Sequence, residues 1–408
     1  MRVGRGLTTH GSGGRDGRLD RFPRRRLARI RGVRVRIAVV HSFYRSDSPS
    51  GENQVVAQQV DLLREAGHDV LLVARSSDEL GTGLVDRVRL AGDVAFGSGA
   101  DPSPVLAAFA PDVVHVHNLF PNFATRWLPR WRGPLVATLH NFRSVCANGV
   151  LIRSGKVCTQ CPDGDRWAGV RHGCYRDSAV ATLPIAVRNR RGIGADPLLA
   201  RADRVIVLSP PARELFVRFG LPQERLDVVP NGVAVPDAQP QGPGTGCVAF
   251  GRLTAEKNWA QLVSDWPADR DLDVFGDGPL RQQLAESSCS AITWRGAIAH
   301  QELLRRLPEY RVALFSGVNP EGAYPLTVLE SWAAGVAIVA RQGGIAAEMV
   351  LRWGGGAGFH DRSDLAAAIE RATAVPPAEC RKLVSTHFST TAWLEQLIAV
   401  YERAMAAH

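Results

Sequence analysis

The sequence predicts an α/β protein built from two doubly wound, parallel-sheet domains. Three observations predict it. Short, nearly continuous apolar runs recur along the chain and alternate with longer amphipathic stretches, the pattern of buried parallel strands and their crossover helices. Glycines and small polar residues follow the apolar runs, where an open α/β sheet meets its ligands. One Pro- and Gly-rich segment, Pro236 to Gly246 (PDAQPQGPGTG), interrupts the alternation and reads as a linker. A chain of 408 residues, 45% of them hydrophobic, can bury a core on each side of that linker.

The charge belongs mostly to one end. Residues 1–36 hold twelve arginines against Asp16 and Asp20, a balance of +10, so the net +9 leaves 9 − 10 = −1 for the rest. The body therefore offers no charge argument for binding nucleic acid. The leader, residues 1–32, is Gly- and Arg-rich and is expected to be disordered. A start codon set too early is the plain reading of it; a basic arm for an anionic membrane surface and an organelle transit peptide are the alternatives. No run approaches 18 apolar residues, and no secretory signal is apparent. The expected location is the cytoplasm, the inner face of the membrane included.

The first domain is expected over residues 33–235. Val35 to His41 (VRIAVVH) is a compact strand, followed by the polar loop Ser46 to Asn53. Gln54 to Ala66 reads as a helix with Gly67 just past its end, and Asp69 to Ala74 as a second strand. Pro111 to Asn118 (PDVVHVHN) and Pro134 to Asn141 (PLVATLHN) are further strands, the first ending on His117 and the second on His140. A histidine at the carboxyl end of a parallel strand stands where the cleft should be and can hydrogen-bond a hydroxyl; a satisfied polar residue at a sheet edge is the bland alternative. Ser178 to Arg191 (SAVATLPIAVRNRR) is expected as a buried helix with a solvated basic end, a peripheral membrane contact being the second reading.

Between those segments lie Cys146, Cys158, Cys161 and Cys174, with one CxxC knuckle. Four thiolates can close a tetrahedral structural zinc site. Two disulfides and four free thiols are the alternatives, the disulfides disfavoured without an export signal. Cys247, Cys289 and Cys380 are scattered and read as small buried residues.

The second domain is expected over residues 247–385, with a last helix in 386–408. Cys247 to Phe250 restarts a strand, and Arg252 and Lys257 follow it on one loop. The planar fork of an arginine and the mobile charge of a lysine suit a phosphate. Lys257 is one of only three lysines, with Lys156 and Lys382. Leu272 to Leu280 (LDVFGDGPL) runs from a strand into a glycine turn. Asn319 to Glu348 then reads as loop, helix, strand and loop. Pro325 opens the helix, Gly335 stops it, Val336 to Val339 is a buried strand, and Gly343-Gly344 follows.

This last stretch resembles the donor-sugar motif of retaining GT-B glycosyltransferases of family 4. Glu330, Ala333, Ala334, Gly335, Gly343, Gly344 and Glu348 fall in the family's order. One departure stands out: Glu321 and Glu330 have eight residues between them where the family has seven, and Tyr324 reads as a one-residue insertion in the loop. Leu63-x-x-x-Gly67-His68-x-Val70 and Gly251-Arg252-Leu253 with Glu256-Lys257-Asn258 resemble the same family, so the likeness covers Val35 to the C-terminus.

The resemblance implies a GT-B fold with a C-terminal helix crossing back to the first domain. It implies a glycosyltransferase taking a nucleotide-diphosphate sugar, with a glycan or lipid-linked acceptor, in polysaccharide or glycolipid assembly. It assigns the donor diphosphate to Arg252 and Lys257, the ribose to Glu330, the sugar to Glu321 and His140, the base to the loop holding Gly276, and the glycine loop facing the phosphates to Gly51. It implies no cofactor for catalysis, and similar cysteine insertions occur in some of the family's enzymes of polysaccharide assembly, with a structural zinc as the candidate occupant. A degenerate donor-binding scaffold and a GT-B nucleotide-sugar epimerase are the alternative readings.

Overall fold

The structure, a computed structural model, describes residues 34–46, 50–81, 83–236, 242, 244–318 and 322–408. The leader, most of the linker and Glu321 lie outside the described residues.

The first sheet holds β1 (Arg36–Phe43), β2 (Asp69–Ser76), β3 (Val113–Asn118), β4 (Leu135–Leu139), β7 (Arg204–Val207) and β8 (Leu226–Val228). Its order is β2-β1-β3-β4-β7-β8, and every pairing is parallel. A short antiparallel hairpin, β5 (Ile152–Arg153) and β6 (Lys156–Val157), lies in the cysteine-bearing segment. The second sheet holds β9 (Cys247–Phe250), β10 (Leu272–Phe275), β11 (Ile292–Gly296), β12 (Val312–Phe315), β13 (Ala337–Arg341) and β14 (Gly356–Phe359). Its order is β11-β10-β9-β12-β13-β14, again wholly parallel.

Both sheets are covered on both faces, which is why their strands lack polar alternation. In β1, Ala38 and Val40 join one core, while Ile37 and Val39 join the other. Six helices matter below: α1 (Gly51–Glu65), α2 (Leu84–Phe96), α3 (Ala179–Asn189), α4 (Leu326–Ala333), α5 (Ile345–Trp353) and α6 (Thr390–Met405). The sequence reading opens α1 three residues late, because Gly51 to Asn53 look like loop composition yet form its first turn. It places α3 as buried; instead only Thr182, Ile185 and Ala186 are buried, while Val180 is 82% exposed.

The last helix, α6, leaves the second domain and packs on the first. Trp393, Leu394, Leu397, Val400 and Tyr401 share a core with Ile37, Val39, Val55 and Val60. The Gln59 amide and the Tyr401 hydroxyl both reach His115 Nδ1, at 3.0 and 2.8 Å, and His115 Nε2 lies 2.7 Å from Thr138 Oγ1. With Nδ1 accepting, the imidazole proton sits on Nε2 and is donated to the threonine.

Each sheet changes winding direction once. The chain adds strands outward on one side of β1 and then returns to place β3 on the other; β9 and β12 repeat the pattern. The loops leaving β1, β3, β9 and β12 therefore diverge around two crevices, the places where this architecture binds ligands.

Candidate active site

On the first domain, the crevice is lined by imidazoles. His117 ends β3 and His140 follows β4; His117 Nδ1 and His140 Nε2 are 2.9 Å apart, and the rings stack with centroids 5.2 Å apart. His41, on β1, meets His117 edge-on at 6.2 Å. Burial drives their pKa values down, to about 4 for His41 and about 3 for His140, and well below the ordinary range for His117. These rings are neutral, so they present hydrogen bonds rather than charge. His117 Nε2 and His41 Nδ1 are buried without a hydrogen-bond partner among the described residues. Such atoms are unstable when left unmade and suit a bound hydroxyl.

Glu52 joins this crevice, and sequence reasoning missed it. It lies in the first turn of α1, beside Gly51. The Tyr44 hydroxyl donates to its Oε2 at 3.2 Å and the Asn141 amide at 3.3 Å. Burial nevertheless pushes its carboxyl up to about 7, although Tyr44, Arg143 and Asn141 pull the other way. His117, His140, Glu52 and Arg143 all line one cavity of about 50 Å³. The available signal was an acid following a glycine at the end of the β1 loop.

On the second domain, three loops come together through their backbones. Arg252 follows β9, with a largely exposed side chain whose Nη2 is 3.8 Å from Glu256 Oε1. Lys257 closes a one-turn 3-10 helix, and its carbonyl accepts from Ser316 Oγ at 2.8 Å. The Asn258 amide donates to the Ser316 carbonyl at 3.1 Å, tying the loops after β9 and β12 together. A Cβ on Gly344 would stand 1.9 Å from the Gly317 carbonyl oxygen, and one on Gly276 would stand 2.0 Å from that of Gly251. Only glycine permits either approach. Glu330 lies on α4, where His300 Nε2 meets its Oε1 at 2.8 Å. That bond to Glu330 raises the His300 pKa. No motif pointed to His300.

The two domains meet where the second reaches across. A Cβ on Gly322 would lie 3.4 Å from the His140 carbonyl oxygen and 3.6 Å from Asn141 Cα. Ala323 forms an isolated parallel bridge with Leu208, and a Cβ on Gly51 would lie 3.7 Å from Leu326 Cδ1. The chain from Gly322 onward thus lies against the His140 strand end. Tyr324 is not looped out: it is 1% exposed, its ring 6.0 Å from that of Phe388. The extra residue is absorbed in the second core because an aromatic ring gains more from burial than from solvent.

The four candidate zinc-ligating cysteines come together in space. Cys146, Cys158, Cys161 and Cys174 do line one cavity of about 20 Å³, together with His172. Yet among the described residues no group of three or more His, Cys, Asp or Glu side chains is arranged to hold a metal ion. All four are free thiols. Cys146 Sγ lies 2.9 Å from Asn148 Oδ1, and burial pushes the Cys161 thiol up to about 11 and raises that of Cys174.

Residues 50–232 match the family model described as "Glycosyl transferase 4-like domain", and residues 244–374 match "Glycosyl transferases group 1". Together they take in well over half of the chain, which therefore belongs to the group 1 type of glycosyltransferases with the GT-B fold. Solved structures agree on the fold. Sucrose-phosphate synthase from Thermosynechococcus elongatus superposes with a TM-score of 0.62 at 18% identity, covering 92% of this chain and 100% of that one. A glycosyltransferase from Rickettsia africae gives 0.60 at 12% identity, with 91% and 100% covered. Anabaena HepE in complex with UDP and glucose gives 0.55 at 16% identity, with 90% and 98% covered. No curated protein matches the chain.

Proposed function

We propose that this enzyme is a retaining family 4 transferase. It moves a sugar from a nucleotide-diphosphate sugar to an acceptor hydroxyl in polysaccharide or glycolipid assembly. The observation that carries the reading is the reach of Gly322 to Leu326 onto His140 and Gly51, which sets the loops of both winding-reversal points against one cleft. That the Anabaena neighbour holds UDP and glucose supports a nucleotide-sugar donor.

In this reading Arg252 and Lys257 face the diphosphate. Their charge stabilises the departing phosphate oxygens as the bond from the sugar's anomeric carbon breaks. Glu330, oriented by His300, binds the ribose, and the Gly276 turn frames the base. His140, held by His117, and the Glu321 loop orient the sugar. The acceptor oxygen bonds to the anomeric carbon on the face the phosphate leaves, and its proton passes to a phosphate oxygen. Glu52, with its raised pKa, holds that acceptor hydroxyl. The enzyme works in the cytoplasm, the inner face of the membrane included. Among the described residues no helix is long and apolar enough to cross a membrane.

The test is transfer from a labelled donor, with the product's anomeric configuration read by proton NMR. The donor's configuration should be kept. Arg252→Ala and Lys257→Ala should each lower kcat/KM by about 100-fold, the scale of losing one charge-stabilising group. An inverted product contradicts the retaining reading.

A further inference from the structure

A groove of about 630 Å³ runs between α2 and α3 on the first domain, and nothing in the reaction above uses it. Leu90 and Val94 from α2 form one wall, Val180, Pro184 and Ile185 from α3 the other, and Phe120 lies beneath. Four arginines line the same space: Arg45, Arg87, Arg143 and Arg176. No Asp or Glu does so among the described residues. Apolar walls with positive charge only suit a ligand that is part hydrocarbon and part anion.

Two further features narrow the ligand. The helix α2 buries none of its residues. Leu84 is 78% exposed and Val85 80%, and Val88 and Phe96 are also exposed, so an apolar surface continues outward from the groove. Inward, the groove runs into the first-domain crevice. Arg143 and Phe120 line both spaces. Arg143 stacks over the Phe120 ring at 4.9 Å, and its Nε is buried without a partner. Tyr44, another lining residue, donates to Glu52.

We infer that this groove holds the acceptor and that the acceptor is a membrane lipid bearing a phosphate. The hydrocarbon chain lies between α2 and α3, the phosphate meets the arginines, and the hydroxyl-bearing head reaches Glu52. The exposed apolar residues of α2 and α3 rest on the bilayer from which the lipid is drawn. This inference rests on the transferase reading and names the acceptor class of that site.

The experiment uses the full chain and three probes: farnesyl phosphate, farnesol and inorganic phosphate. Binding is followed by calorimetry beside the thermal shift given by the nucleotide-sugar donor. Farnesyl phosphate should bind at least tenfold more tightly than either of the others. Arg87→Glu and Val180→Glu, both at exposed positions, should each weaken it at least tenfold while leaving the donor shift unchanged. Equal binding of farnesyl phosphate and inorganic phosphate overturns the lipid assignment in favour of a soluble phosphorylated acceptor. Binding unaffected by both variants, or no binding by a chain that responds to donor, also overturns it. A missing donor shift strikes instead at the transferase reading.

Discussion

Glu52 sits in an environment that works against its chemistry. A carboxyl at a helix N-terminus should ionise easily, yet burial lifts it to about 7. Its native form thus holds a proton more tightly than its unfolded form between pH 4.5 and 7, so its contribution to stability falls as pH rises through that window. Glu52→Gln should be as stable as the parent at pH 4.5 and more stable by about 1–2 kcal/mol at pH 8, after allowance for its partial exposure. Transfer to acceptor should fall while donor binding persists. Urea unfolding at the two pH values checks the first statement, and initial rates check the second. Residue-scale legibility was uneven. Arg252, Lys257, Glu330 and His140 could be singled out because strand ends and glycine turns announce their positions. Glu52, His300 and Asn141 could not, since what matters about them is the neighbour each meets from a distant segment.

At the scale of elements, strands were read better than helices. Cys247–Phe250 is predicted to the residue, because a buried parallel strand is a bounded apolar run. Helix α2 (LVDRVRLAGDVAF) drew no expectation, since its apolar residues do not face a core. The four cysteines share one neighbourhood, as their spacing suggests; spacing reports proximity, not where sulfur atoms point. The crossing helix α6 is anchored by a polar contact as well as by its apolar stripe. Tyr401→Phe removes the hydroxyl shared with Gln59 and His115 and should cost about 1–2 kcal/mol. A lowered urea midpoint with an unchanged slope is the expected result; no change would mean the helix is held by its apolar face alone.

For the whole molecule, the fold was legible because both halves repeat one device, a parallel sheet whose winding reverses once. How the halves face each other was not, because Gly322, Ala323 and Leu326 meet the first domain through surface shape and not through any periodicity. The buried histidines give the molecule a common acid weakness. His41, His115 and His140 titrate at about 4, about 3 and about 3 when folded, and His117 well below the ordinary value, against about 6.5 when unfolded. The unfolded chain therefore binds more protons below pH 6.5, and stability should fall steeply from pH 6.5 to 4, by up to several kcal/mol per unit when all four sites differ. Thermal unfolding across that range checks it, and a flat profile would mean that the cluster is reached by water.

The measurement that bears most directly on the transferase reading is a donor screen of the purified chain with UDP-, GDP- and ADP-sugars, following thermal shift and nucleotide release together. One nucleotide class should raise the melting temperature and release its nucleoside diphosphate, with both effects lost in Arg252→Ala and Lys257→Ala. Stabilisation that survives both substitutions, or no response to any donor, would contradict the assignment of the diphosphate to the loop that follows β9.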